Sequence, residues 1–485
     1  MEQNLSFVKR TQKFWEWFAE NEAQLAAFLP NPAPTDVDSN AIVELCNQGL
    51  SLIADNLNFN IGGNNEFTFA TEGNAALFFL LPYVVANMPE QFRGKWHFFP
   101  CMQGTRGDNF VFRMIEHVDS VDTDNVYVTA SISEDKQAAD LRVYVKEWEA
   151  LDDNQFLGAF FILMDIVVGE ALSYTCIRNV ERVRGRTDGM ISLTNLGKWL
   201  LDNLCEDGKV PDPANRHSSY QQTPDENAMP PRNDIFVGVT NYMHTISGYH
   251  MRDSYVYDTF VRFGAKPVFV YYYYGEGDNQ KEVLNRRYEL MDKLEAVVLG
   301  ERGSGKEIGL MLGGAMGKWC AYIDLLLFDE QEFMQRAKAL LADEPTMFFG
   351  KDFVHEGRDF LLLDQNDANF NQRLEQLHRD DIHFEIVKIM EGMTDMDYTQ
   401  KGLYARALNN VSREGDALKV LESVMEQGKE DKLWYFRYGY ALMGLNRHKD
   451  AIAAFRRAQE LGDTNADTNE LIAMCEAALE GHDGK

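Results

Sequence analysis

Apolar and small residues recur every 34 positions near the C-terminal end of the chain. In one copy of the repeat these residues are Tyr435, Tyr438, Gly439, Leu442, Ala451, Phe455 and Ala458. The positions 34 residues earlier hold Lys401, Tyr404, Ala405, Leu408, Ala417, Leu421 and Val424, of which only Lys401 is charged. The pattern predicts two helices per repeat. Because one such pair cannot bury its own apolar face, consecutive pairs are expected to stack and to present a groove to a partner.

Weaker copies of the pattern lie on both sides of the two clear repeats. The residues that keep the register on the N-terminal side are Phe370, Leu374, Val387 and Met390. On the C-terminal side, Thr464–Leu479 has the length of a half-repeat whose more polar face caps the stack. We therefore predict an all-α helical-repeat region over residues 364–485.

The first 205 residues alternate between helical and strand-like patterns. Residues 3–29 carry apolar residues near one face and predict a helix that ends at Pro30, and a second helix is expected from Ser39. Leu57–Ile61 and Glu66–Ala70 flank two glycines and two asparagines and predict a hairpin. Further predicted elements are helices at Asn74–Met88 and Asp153–Leu172 and strands at Trp96–Cys101, Phe110–His117, Asn125–Ser131, Leu141–Val145 and Ser173–Val183.

A second series of elements follows residue 235. In order, it predicts a strand at Lys266–Tyr274, a helix at Gln280–Leu299, strands at Glu307–Leu312 and Trp319–Phe328 around a glycine turn at Gly313–Gly317, and a helix at Glu330–Ala342. This β-α-β-β-α order is that of the split βαβ in ferredoxin-like folds. The first half has a related order, so the fold class is predicted as α+β, with two such units, followed by the all-α repeat.

The local amino-acid composition indicates where the domain boundaries lie. Five of the 13 prolines lie within residues 206–234, among Asp, Asn, Ser and Gln, which is typical of a linker or a long surface loop. The predicted organisation is an α+β domain over 1–205, this proline-rich stretch over 206–234, a second α+β unit over 235–363 and the repeats over 364–485.

The charge of the chain limits its partners. With 76 acidic and 47 basic residues the net charge is −29, which disfavours binding to nucleic acids and to anionic membranes and favours a basic protein partner. The alternative is that the acidity only maintains solubility. The six cysteines have no CxxC spacing, and Phe156–Met164 is too short an apolar run to span a bilayer. We therefore expect a cytoplasmic protein with no metal, no cofactor and no membrane contact.

Two glycine-rich segments and one pair of histidines are the candidates for chemistry. Gly300–Lys306 has the spacing of a phosphate-binding loop, but a predicted helix precedes it and Glu307 replaces the hydroxyl residue, so a plain connecting loop is favoured. Gly313–Lys318 is interpreted as a turn. His244 and His250 lie in a predicted strand and loop region and are the alternative for an acid–base or metal site.

The repeat register identifies the side chains expected in the groove. In the second clear repeat these are Leu433, Phe436, Tyr440 and Met443, and in the repeat before they are Gly402, Arg406 and Asn409. Binding a partner's carboxylate requires several basic and amide side chains, and only Arg406 and Asn409 qualify. The groove is therefore predicted to be mostly apolar, and either docks on the α+β domains of the same chain or takes an apolar segment of a partner.

The segment His383–Leu479 resembles the tetratricopeptide repeats found as tails on uncharacterised bacterial cytoplasmic proteins. The matching phrases are Leu403–Asn410, Leu433–Leu442 and His448–Leu461. Such tails often follow domains that look like immunity proteins of bacterial polymorphic toxin systems. The N-terminal half, around Phe67–Gly73, Trp96 and Asp165–Val183, looks like a bacterial domain of unknown function. The resemblance implies a protein that neutralises a toxin by binding it.

The sequence therefore favours a non-enzymatic protein-binding protein, with immunity to a basic toxin as the preferred version. One alternative is an adaptor or scaffold whose groove binds a host peptide. Another is an enzyme with a site in the α+β region near His244 and His250. The oligomeric state is left open.

Overall fold

The computed structural model describes residues 5–29, 39–105, 107–113, 118–134, 136–275, 278–364 and 367–483. The chain divides into two compact units. What we call the mixed unit comprises Met1–Tyr271, Lys281–Leu340 and Gly350–Phe360, and what we call the helical unit comprises Tyr272–Gln280, Leu341–Phe349 and Leu361–Lys485. Strands and helices alternate in the first, and only helices follow residue 369, which confirms the predicted α+β region and all-α tail.

An aromatic core organises the start of the mixed unit. Its elements are α1 (Phe7–Phe28), α2 (Ser39–Leu50), β1 (Asn58–Gly62), β2 (Glu66–Ala70), α3 (Leu77–Ala86) and β3 (His97–Phe99), with β2 between β1 and β3. Phe14 and Phe18 of α1 are fully buried, and the Trp15 indole N–H donates to the Val84 carbonyl at 2.9 Å. The predicted hairpin is confirmed, and Asn64 adopts the left-handed φ of 65° that its turn requires.

A four-stranded sheet of order β8-β7-β6-β9 packs against helices in the next part of the mixed unit. The elements are β4 (Val111–Phe112), β5 (Val121–Asp122), β6 (Val126–Ile132), β7 (Ala139–Val145), α4 (Asp153–Val168), α5 (Glu170–Cys176), β8 (Ile177–Arg182), β9 (Ile191–Ser192) and α6 (Leu196–Leu204). Of the predicted strand Phe110–His117 only β4 forms, and residues 114–117 lie outside the described residues.

The prediction of one helix over Asp153–Leu172 followed by a strand from Ser173 was wrong. Gly169 has a φ of 94°, so α4 ends there, and α5 begins at a bend of 113°. Glu170 explains the bend: it is 3% exposed, and its carboxylate accepts backbone N–H groups from Thr71, Glu72 and Met102 at 2.8, 2.9 and 2.9 Å. Among the described residues no single helix is long and apolar enough to cross a bilayer, and α4 and α5 meet that test only as a bent pair.

The remaining strands form a seven-stranded sheet of order β10-β11-β13-β14-β12-β15-β16. The elements are β10 (Ser218–Gln221), β11 (Ile235–Thr240), α7 (Met243–Met251), α8 (Tyr255–Arg262), β12 (Lys266–Tyr273), α9 (Gln280–Lys293), a π-helical turn (Leu294–Leu299), β13 (Gly309–Gly317), β14 (Cys320–Leu327), α10 (Glu330–Leu341), β15 (Phe349–Asp352) and β16 (Asp359–Leu361). Strand β14 lies between β12 and β13. The first half differs, because its strands form separate sheets.

The glycines predicted to form a turn lie inside β13 instead. Gly313 pairs with Asp324 and Gly314 with Ile323, and β14 begins three residues after β13 ends. Gly313 follows a register irregularity and has a φ of 142°, where the Val239 carbonyl leaves no room for a Cβ atom. Glycine is required here by close strand packing, so this glycine cluster does not mark a turn.

The proline-rich stretch 206–234 is built into the mixed unit. Its β10 pairs antiparallel with β11, and Arg232 and Asp234 are fully buried. The division between the compact units does not fall in this stretch. Proline content alone therefore did not distinguish a linker from an irregular segment held by buried polar contacts.

The helical unit repeats with the predicted period. Its helices are α11 (Phe370–Arg379), α12 (His383–Glu391), α13 (Tyr398–Asn410), α14 (Glu414–Glu422), α15 (Met425–Gly428), α16 (Lys432–Gly444), α17 (His448–Glu460) and α18 (Ala466–Asp483). Helices α13, α16 and α18 begin 34 residues apart, as do α14 and α17. Gly439 of α16 lies against the Phe455 ring of α17, where a Cβ atom would be 2.8 Å from a ring carbon.

Candidate partner-binding surface

Helices α13 and α16 are aligned by the polar residues that precede them. Asp397 accepts the backbone N–H of Gln400 at 2.8 Å, and Gln400 in turn accepts the Asp397 N–H at 3.0 Å, which caps α13. Asp431 caps α16 by accepting the Leu433 N–H at 2.8 Å. The Tyr398 hydroxyl donates to the same Asp431 carboxylate at 2.6 Å. The start of one helix is thus tied to the start of the next.

A group of basic and amide side chains lies where α13 and α16 pack together. We call Arg406, Arg437, His378, His383 and Asn409 the arginine cluster. The Arg437 guanidinium lies over Gly402 of α13, so a side chain at residue 402 would collide with its Nη1. Asn409 donates from Nδ2 to the Arg437 backbone carbonyl at 3.0 Å. A glycine on one helix therefore makes room for an arginine of the next.

Both arginines of the cluster lack an acidic partner. Within the part of the chain that the structure describes, neither the Arg406 nor the Arg437 guanidinium has a hydrogen bond or ion pair. Burial, followed by the positive charge of Arg406, lowers the pKa of Arg437, and the negative charges of Asp431 and Glu375 oppose this shift without forming an ion pair with it. Arg406 is exposed and Arg437 half-buried. An anionic group placed between them would be attracted by both, in a site that water screens only in part.

The hydrogen bonds of the two histidines in the cluster determine which ring nitrogens carry a proton. His378 is 1% exposed, and its Nε2 donates to the Leu403 carbonyl at 3.0 Å, so its Nδ1 accepts from His383 Nδ1 at 3.1 Å. Burial, then the charges of Arg406 and His383, lower the pKa of His378 to about 3. His378 is therefore neutral at physiological pH and supports α13 without adding charge.

Seven groove residues were predicted from the register, and one of them, Gly402, has no side chain and lies against the Arg437 guanidinium. Arg406 is exposed and Leu433 is 49% exposed, whereas Asn409 is buried, and its Oδ1 has no hydrogen-bond partner among the described residues. Phe436, Tyr440 and Met443 are half-buried and pack against a core that contains Phe455 and Cys475. Arg406 and Leu433 are therefore accessible to a partner, whereas Asn409 is enclosed. The last three residues contribute mainly to helix packing.

Sequence reasoning missed Arg437, although a signal was present. Arg437 stands 34 residues after Leu403, which is 3% exposed in the preceding repeat. A charged residue at a position that is apolar and buried in the neighbouring copy indicates a local change of environment. The glycine at residue 402, which admits the guanidinium, is the matching change on α13.

The other sequence candidates have more ordinary surroundings. His244 and His250 both lie on α7, which the pattern had assigned to strand and loop. They are six residues apart and so point about 120° away from each other, and His250 pairs through Nε2 with the Gln222 amide at 2.9 Å. No group of three His, Cys, Asp or Glu side chains among the described residues is arranged to hold a metal.

The glycine loop at Gly300–Lys306 connects the π-helical turn to β13, as predicted. The Glu307 carboxylate accepts the Gly303 N–H at 2.8 Å and the Ser304 hydroxyl at 3.1 Å. Glu307 itself is 2% exposed. A buried carboxylate of the chain thus occupies the donors that a phosphate would need in a phosphate-binding loop.

The comparisons with known proteins leave the family open. No model of a known protein family matches the chain. No curated protein matches it significantly either.

Proposed function

We propose that this chain is a protein-binding protein whose arginine cluster holds a carboxylate of its partner, either the partner's C-terminus or an acidic side chain. The observation that carries the proposal is the adjacency of Arg406 and Arg437 with no acidic partner for either among the described residues. This is unusual in a chain with 76 acidic residues to choose from. Two guanidinium groups provide the planar donors that match a carboxylate.

The geometry of the helical unit favours repeats of the tetratricopeptide type. Helix starts at a 34-residue interval, together with a glycine packed under an aromatic ring of the second helix, agree with that architecture. In the mixed unit, β14 lies between β12 and β13, which favours a split βαβ of ferredoxin-like type. A repeat stack is commonly a binding surface for other proteins.

Immunity to a basic bacterial toxin is the preferred biological setting. A net charge of −29 would speed association with a cationic toxin, and the arginine cluster would fix the orientation of the complex by holding one carboxylate. An adaptor or scaffold that binds a host peptide would use the same cluster. The two settings differ in the partner and share the mode of binding.

A peptide selection tests the binding mode directly. The full chain is used to select from a library of random peptides displayed with free C-termini, and the enriched peptide is synthesised as the free acid and as the amide. We expect the acid to bind about 10- to 100-fold more tightly, because a charge-assisted hydrogen bond is lost in the amide. Replacing both Arg406 and Arg437 with Ala should remove that preference.

The control is Arg456→Ala, which removes an arginine of α17 that pairs with Glu476 at 3.0 Å and lies outside the cluster. It should bind the acid as the wild type does. Equal binding of the acid and the amide by the wild type, together with unchanged binding when the peptide's Asp and Glu residues are replaced with Asn and Gln, would overturn the carboxylate role. For the immunity setting, a partner purified from the native host at low salt should be cationic, and its toxicity should disappear on co-expression with this protein. A non-toxic partner would favour the adaptor.

A further inference from the structure

The mixed unit contains a second candidate site that is independent of the arginine cluster. A cavity of about 400 Å³ lies between β13 and the helix formed by α9 and the π-helical turn. This volume falls within the roughly 300–1,000 Å³ range of small-molecule sites. Arg287, Gly313 and Gly314 are among the buried residues of its lining, whereas His217 and Glu295 are exposed. The helix widens to π geometry beside the cavity, and such turns are frequent at functional sites.

Arg287 is a buried cation without a counter-charge. The residue is 3% exposed, and the described residues give its guanidinium neither a hydrogen bond nor an ion pair. Its Nε is fully enclosed without a partner among the described residues, and its guanidinium carbon lies 4.8 Å from the centroid of the Tyr288 ring. Burying an unpaired charge is strongly unfavourable, so a group that neutralises it is expected.

Neighbouring charged groups are already engaged or lie at the surface. The Asp324 carboxylate, opposite Gly313 on β14, pairs with Arg232 at 2.5 Å. Arg302, which also lines the cavity, pairs with Asp212 at 2.8 Å and donates to the Ala214 carbonyl at 3.1 Å. Among the described residues that line this cavity, Arg287 is therefore the cation that remains available to a ligand.

Asn241 supplies a second unsatisfied group in the same cavity. Its Nδ2 donates to the carbonyls of Ala214 and Met311 at 2.9 and 3.2 Å, which fixes the orientation of the amide. Its Oδ1 is consequently an acceptor, and this atom is buried without a partner among the described residues. The cavity thus contains an unpaired hydrogen-bond donor on Arg287 and an unpaired acceptor on Asn241 among the described residues. Met291, Leu299 and Met311 form the apolar part of its lining.

We infer that this cavity binds a small organic acid that carries a hydroxyl or amino group beside its carboxylate. The carboxylate accepts from Nε and an Nη of Arg287 as a planar pair, and the neighbouring O–H or N–H donates to Asn241 Oδ1. The apolar side chains accept a short hydrocarbon chain. One ligand of this kind would form hydrogen bonds with both the Arg287 guanidinium and Asn241 Oδ1.

The test uses the full chain and a matched series of six-carbon probes. The probes are 2-hydroxyhexanoate, 2-aminohexanoate, hexanoate and 1,2-hexanediol, and binding is measured as the rise in melting temperature at constant ionic strength. The two substituted acids should raise it most, hexanoate less, and the diol not at all. Arg287→Met should abolish the shift, and Arg287→Lys should weaken binding about 10- to 100-fold because lysine lacks the planar fork.

Arg286→Met, which changes the adjacent arginine outside the cavity lining, is the matched control and should respond as the wild type does. Because Arg287→Met could fail to fold, a second measurement follows binding in the wild type and uses Arg287→Lys only to assign the Arg287 signal. In protein labelled with ¹⁵N-arginine, 2-hydroxyhexanoate should shift the Nε–H signal that is absent from Arg287→Lys. An equal thermal shift with the diol, or an unmoved Arg287 signal at saturating acid, would overturn the inference.

Discussion

Arg232 and Asp324 form an ion pair that is fully enclosed within the mixed unit. Nη1 lies 2.5 Å from Oδ1, Nη2 lies 3.4 Å from Oδ2, and both side chains are 0% exposed. The guanidinium is also 4.4 Å from the Phe353 ring centroid and 5.1 Å from that of Phe269. The pair joins the end of the proline-rich stretch to the middle of β14, so it fixes the position of an irregular segment against the sheet.

Removing one member of this pair should strongly destabilise the protein. Asp324→Asn leaves a buried guanidinium without its counter-charge, and we expect the free energy of unfolding to fall by about 3–5 kcal/mol. Urea denaturation of the wild type and the variant measures the difference. The double variant Arg232→Met/Asp324→Leu should lose less free energy of unfolding than Asp324→Asn alone, because it buries no charge. A double variant less stable than the single one would contradict this account.

The bend between α4 and α5 predicts a pH effect. Burial, followed by the charge of Glu170, raises the pKa of Asp165 to about 7 from a usual value of 3.8. Between these values the native state keeps a proton that the unfolded state has released, so the stability of the wild type falls as the pH rises and levels off above about pH 7. Asp165→Asn should therefore be more stable than the wild type at pH 8.

The expected gain for Asp165→Asn is about 1–3 kcal/mol, discounted because Asp165 is partly exposed. This gain in stability should shrink as the pH falls and vanish near pH 4, where Asp165 of the wild type is protonated in both the native and the unfolded state. Thermal unfolding measured across this pH range gives the curve, with Glu149→Gln as an exposed control. A gain that is independent of pH would show that the charge of Asp165 is not its source.

Local patterns predicted most helices and strands because amphipathic spacing and turn residues act within a few positions. Two of the errors share one cause, since each depends on contacts between distant segments. Gly169 breaks α4 because Glu170 binds backbone groups of residues 71, 72 and 102. Gly313 belongs to a strand because the Val239 carbonyl excludes a side chain. Neither contact can be predicted from the residues next to the glycine in the sequence.

The repeat packing gives a prediction for the helical unit. Ala451 of α17 is 0% exposed, in the same small cluster as Phe455, which packs under Gly439. Ala451→Leu should overpack this contact and lower the free energy of unfolding by about 1–3 kcal/mol. Ala453→Leu, at an exposed position of the same helix, is the matched control and should be nearly neutral. Similar melting temperatures for the two variants would count against this packing.

The candidate sites were harder to predict than the fold. The register predicted that Arg406 and Asn409 lie in the groove, because the positions of a repeat can be counted. Arg437 and Arg287 are informative because Arg437 is half-buried and Arg287 buried, both without an ion pair among the described residues, and a sequence does not show which carboxylates come near. In the sequence, Gly402 is the signal for Arg437, because a residue without a side chain leaves room for the Arg437 guanidinium.

Limited proteolysis distinguishes an ordered proline-rich stretch from a linker. Lys209 lies in the exposed run 206–210, whereas Arg232 is fully buried. Because proteases need locally unfolded, accessible backbone, trypsin should cut within residues 205–240 after Lys209 first and spare Arg232 until the protein unfolds. Mass spectrometry of a digestion time course identifies the cut, and Lys209→Ala should abolish it. Equally fast cleavage after Arg232 would mean that the ion pair with Asp324 does not hold this segment on the sheet.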